Sequence, residues 1–170
     1  MSRRVAIFLL CCAAAWAQSR NPRFQDFPPS EIFNGKPAPP RLATARDRQF
    51  RSRIREGAAT GPNFAGHYTI VEWGCGAGCV SMTLVDAKNG TILPVPFDVL
   101  GLGANVLKYE STILSNADGF QPLSYKKDSR LLIARGCPGQ KNCASYFYEL
   151  TAESKFKLIS KTPAITVTPP

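Results

Sequence analysis

The residues that could do chemistry gather in one stretch, Pro62 to Asp86. It holds the only histidine, His67, and a glycine-padded cysteine pair, Cys75 and Cys79, with Glu72 between them. A histidine near a cysteine, with Gly74, Gly76 and Gly78 able to present backbone donors, suggests acyl-transfer chemistry on a thiolate. Strand geometry argues against it. At about 3.3 Å per residue, a histidine on an extended strand cannot fold back onto a cysteine eight positions away. His67 could instead serve as a general base with a carboxylate brought close by the fold, which is a hydrolase reading. The plainer role for a lone histidine beside Tyr68 is structural.

The other cysteines decide between these chemistries. Cys137 and Cys143 form a second pair in a matching context. Trp73-Gly-Cys75 ends one apolar run and Cys79-Val begins the next. Arg135-Gly-Cys137 ends another, and Cys143-Ala begins its successor. Opposed residues of an antiparallel pair lie within disulfide reach. The spacing therefore favours two local staples, Cys75 with Cys79 and Cys137 with Cys143, over cross-links between the loops. The intervals do not match the tight knuckles of zinc sites, so no metal is expected, and no motif calls for a cofactor. Phosphate-loop, dinucleotide, G-x-S-x-G and HExxH signatures are absent from the sequence.

The N-terminus points to an oxidising compartment. Arg3 and Arg4 precede an apolar run from Val5 to Ala15, and Ala15-Trp16-Ala17 has the small-x-small pattern of a cleavage site. Residues 1–17 thus read as a signal peptide, followed by a secreted or periplasmic protein. Lipidation at Cys11 is disfavoured because Leu10, not a small residue, precedes it. No later segment is apolar enough to be transmembrane.

Of 170 residues, 44% are apolar, and 21 Lys and Arg face 12 Asp and Glu. Loss of Arg3 and Arg4 lowers the formal charge from +9 to about +7. Such a chain is drawn to an acidic protein or an anionic polymer of the cell envelope, and nucleic acid is not expected. The sharpest basic feature is Arg46, Arg48, Arg51, Arg53 and Arg55, five arginines within ten residues. Their guanidinium groups suit carboxylate and phosphate. Arg135 and Lys141 add charge beside the second cysteine loop.

These groups need elements to position them. Residues 18–43 form a proline-rich arm, with Phe24, Phe27, Ile32 and Phe33 available to dock on a core. Thr44 to Glu56 predicts a helix capped by Thr44 and Asp47 and stopped by Gly57. Beyond Gly61 the pattern is β. His67–Trp73 and Val80–Val85 alternate, Asp86 to Gly90 is a turn, and Thr91–Val95 is a short strand. Leu100–Asn105 reads as a glycine-broken loop. Strands are further expected over Val106–Leu114, Pro122–Tyr125, Arg130–Arg135, Ala144–Leu150 and Lys155–Ser160.

The expected fold is α+β. It is mainly an antiparallel β meander of about seven to eight short strands, with one N-terminal helix packed on it and two disulfides. One domain covers 44–162, and 163–170 is a tail.

The run from Gly61-Pro-Asn-Phe-Ala-Gly-His67 to Trp73-Gly-Cys75-Gly-Ala-Gly-Cys79, behind an arginine-rich helix, resembles a group of small uncharacterised exported bacterial proteins. The resemblance implies an exported context. It implies no activity and no catalytic residue. The leading expectation is a non-enzymatic periplasmic or secreted binding module. A hydrolase using His67 and a structural envelope protein are the alternatives.

Overall fold

A computed structural model describes residues 21–76, 78–101 and 121–163. The expected signal peptide, the Val106–Leu114 strand and nearly all of the tail lie outside these residues. Within them the protein is mostly antiparallel sheet. The strands are β1 (Tyr68–Gly74), β2 (Cys79–Asp86), β3 (Ile92–Leu93), β4 (Leu100–Gly101), β5 (Leu123–Ser124), β6 (Leu131–Pro138), β7 (Ala144–Leu150) and β8 (Phe156–Pro163). Their order is β1-β2-β4-β6-β7-β8, with β3 beside β2 and β5 beside β6.

Leu100 and Gly101, expected in a loop, form the bridge between the two halves. Gly101 lies opposite Cys79 on one side and Cys137 on the other. A two-residue strand has no periodicity to reveal it.

Period-two alternation decides which side chains meet. Tyr68 and Ile70 of β1, Val80, Met82 and Leu84 of β2, Leu132 and Ala134 of β6, and Tyr146, Tyr148 and Leu150 of β7 share the inner face and form the main core. The opposite face is covered twice. Val71, Trp73 and Val85 lie under Ile54 and Ala58, and Leu131, Ile133 and Phe147 pack against Phe24 and Phe27 of the arm. With both faces covered, β2 is buried without a break from Val80 to Val85, Ser81 and Thr83 included, although its sequence alternates apolar with polar residues.

The sheet curls so that its first strand meets its last turn. Phe64, fully buried, stacks on Phe156 with ring centroids 6.0 Å apart. Tyr68 Oη and Ser154 Oγ are hydrogen-bonded at 2.7 Å. Ala65 N–H donates to Ser129 O at 3.1 Å, which joins the Pro62–His67 segment to the turn before β6.

The helical region begins as expected. Thr44 Oγ1 accepts from Asp47 N–H, and the Asp47 carboxylate accepts from Thr44 N–H. One helix of more than two turns packs on the sheet as expected, but its bounds and its stop at Gly57 are corrected. There are two segments, α1 (Ala45–Gln49) and α2 (Arg51–Ala59). Phe50 interrupts them while its ring packs on Trp73 at 4.9 Å.

Gly57 lies inside α2 and allows close approach. A Cβ there would overlap the Val71 methyl groups. The arm is packed along the sheet: Phe33 N–H donates to Gly66 O, Ala38 N–H to Ala87 O, and Arg130 N–H to Phe27 O. Gly66 has φ +83°, and a Cβ there would collide with the Glu31 carbonyl of the crossing arm.

Gly57→Ala tests the close approach. Alanine would stabilise an open helix by about 1 kcal/mol, but overpacking costs about 1–3 kcal/mol. The expected outcome is a lower thermal midpoint. A raised midpoint would contradict the α2–β1 contact.

Candidate functional site

The four cysteines among the described residues are spent on disulfides. Cys75 pairs with Cys79 and Cys137 with Cys143, with Cα atoms 5.4 and 4.0 Å apart. This is the local pattern, and it removes all four sulfurs as nucleophiles or thiolate ligands. Gly101 lies between Cys79 and Cys137, which puts these two cysteines about 10 Å apart, two strand spacings. β2 and β6 are both antiparallel to β4 and so run the same way, and the loop that precedes Cys79 and the loop that follows Cys137 leave in opposite directions. Of the two cations expected beside them, Lys141 is exposed. Arg135 is half-buried and donates to Ser124 Oγ at 2.7 Å, which braces β5.

His67 lies at the other end of β1, where the arm crosses the hairpin turn. Its Nδ1 is buried without a hydrogen bond, 3.8 Å from Glu31 Oε1. Glu31 is itself bonded to Lys88, which holds its carboxyl below the usual range. The imidazole ring lies 4.1 Å from the Tyr68 ring. Burial pushes the His67 pKa down, and Lys88 adds to this against Asp86 and Glu31. Its backbone carbonyl accepts from Ala87 N–H. His67 lines neither of the two clefts described below. The cluster clamps the arm to the turn.

Glu72 acquires a partner that strand reasoning does not supply. Tyr125 Oη donates to its carboxylate at 2.6 Å. Burial raises the Glu72 pKa against this bond, and burial together with the carboxylate raises that of Tyr125. The two residues are 53 positions apart, so only the folded sheet joins them.

The five arginines divide into two kinds. Arg46 is structural. Its guanidinium lies 5.4 Å from the Trp73 ring and donates to the carbonyls of Met82 and Asp98. Arg48, Arg51, Arg53 and Arg55 are exposed. Arg48 reaches back to Ala43 O, and Arg51 to Arg48 O. Among the described residues none of the five forms an ion pair with a carboxylate. Arg51 and Arg55 are one turn apart and so share a stripe of α2.

A cleft of about 440 Å³ opens where α1 meets β2 and β3. Arg41 and Arg46 line it, but so do Asp47 and Asp98, and the charges offset. Among the described residues no group of three or more histidine, cysteine or acidic side chains is placed to hold a metal ion, and no helix is long and apolar enough to cross a membrane. No family model matches the chain, and neither a curated protein nor a solved structure matches it.

The depressed His67 pKa has a defined consequence for stability. Protonation favours the unfolded chain, where the group titrates normally. The stability that comes from a neutral His67 is complete above about pH 6.5 and is lost as pH falls through the lower folded-state value. His67→Asn is expected to flatten the fall of the urea midpoint below that pH. An unchanged slope would contradict the burial of the ring.

Proposed function

We propose that this protein is an exported, non-enzymatic binding module that engages an acidic protein or an anionic component of the cell envelope through the arginines of α1 and α2. One observation carries the reading. Arg48, Arg51, Arg53 and Arg55 are exposed without a carboxylate partner among the described residues, on a helical region anchored to the sheet. Charges presented from an anchored element lose less side-chain and backbone freedom on binding than charges on a loose tail. Guanidinium is also the cation best matched to carboxylate and phosphate.

Two further features support export. The four cysteines among the described residues are paired, which suits an oxidising compartment. Residues 1–17 have the charged start, apolar run and small-x-small site of a secretory signal. The hydrolase alternative gains no support, since His67 is packed under the arm and Glu31, the carboxylate it faces, is committed to Lys88.

The test separates a specific surface from net charge. Arg51→Glu with Arg55→Glu is compared with Lys155→Glu with Lys157→Glu, which changes net charge equally at the start of β8, outside the helical region. At about 1 kcal/mol per cation near an anionic surface, the arginine pair should weaken binding to a dextran sulfate matrix by roughly thirtyfold or more at low salt. The lysine pair should weaken it much less, and high salt should abolish the difference. Equal losses from the two pairs would reduce the proposal to non-specific attraction.

A further inference from the structure

The proline arm and α2 enclose a second cleft of about 450 Å³, within the range that small-molecule sites occupy. Pro37, Pro39 and Pro40 line the arm side and Ala59 the helix side. Lys36 and Arg55 supply all the charge of its lining, and both are positive.

Both walls are held from outside the cleft. Ala38 N–H donates to Ala87 O at 2.8 Å and Arg41 N–H to Gly90 O at 2.7 Å, which fixes the arm to the β2–β3 turn. Ile54 and Ala58 pin α2 to Val71, Trp73 and Val85. The locked φ of each proline limits collapse of the arm into the space. Among the described residues neither Lys36 nor Arg55 has a carboxylate partner. The neighbouring cleft differs, because Asp47 and Asp98 offset its arginines.

We propose that this second cleft binds a small organic carboxylate with an apolar body. The carboxylate lies between Lys36 and Arg55, where the guanidinium fork can take both oxygens. The apolar body lies against the prolines and Ala59, where its removal from water supplies the remaining affinity. The inference rests on the anion-binding reading only through Arg55, which serves both surfaces.

Octanoate is the probe, titrated into the disulfide-bonded protein and followed by amide chemical shifts. Acetate and octylammonium are the controls. Octanoate should shift Lys36, Ala38 and Ala59. Octylammonium should not, and acetate should bind far more weakly. Arg55→Gln should weaken octanoate by about fivefold or more, the loss of one charge-assisted pair. Ala59→Trp, at an exposed helix end, should fill the cleft and abolish octanoate binding while leaving dextran sulfate binding intact. Lys36→Gln, in the arm, should repeat the Arg55 effect without touching α2. Failure to bind octanoate, shifts centred elsewhere, equal binding of octylammonium, or affinity unchanged by Ala59→Trp would each overturn the proposal. Those results would leave the polyanion surface standing.

Discussion

The burial of both faces of the β1–β2 hairpin is the constraint on which the rest depends. Ile70, Met82 and Leu84 fill the inner core, while Val71, Trp73 and Val85 need a cover on the other side. A single sheet cannot supply that cover, so the chain spends its helical region on it. Gly57 lets α2 approach Val71, and Phe50 with Arg46 closes over Trp73. The same logic recurs at β6 and β7, where Phe24 and Phe27 of the arm cover Leu131, Ile133 and Phe147.

This arrangement links packing to the proposed activity. Once one side of α2 is committed to the hairpin, Arg51 and Arg55 are left facing outward with no carboxylate among the described residues to satisfy them. The arm, fixed to the sheet by backbone hydrogen bonds, then forms the second wall beside the helix. The glycine- and cysteine-rich stretch that first suggests catalysis is scaffold instead. Its sulfurs staple the sheet end, Gly66 lets the arm cross, and His67 packs beneath the arm.

Local signals were legible in the sequence. The alternation of His67–Trp73 and Val80–Val85, the Thr44–Asp47 capping box and the matching contexts of the two cysteine pairs each point to what the structure contains. These features depend on neighbours within a few residues. The failures share the opposite property. Gly57 reads as a helix stop because glycine is a poor helix former, yet its place is set by Val71, fourteen positions later. The β4 bridge and the Glu72–Tyr125 pair likewise depend on strands distant in sequence. The cleft between the arm and α2 had one faint signal, a cation, Lys36, at the head of a proline run.

Amide hydrogen exchange with and without dextran sulfate tests the central claim, that an anchored helix presents the binding surface while the sheet serves as its support. The amides of Ile70, Val71, Met82, Leu84 and Val85 should be among the slowest, and the polyanion should leave them unchanged. Added protection should fall on α1, α2 and the adjoining arm. Protection centred on β8 or on the two disulfide loops, or rapid exchange in β1 and β2, would contradict the account.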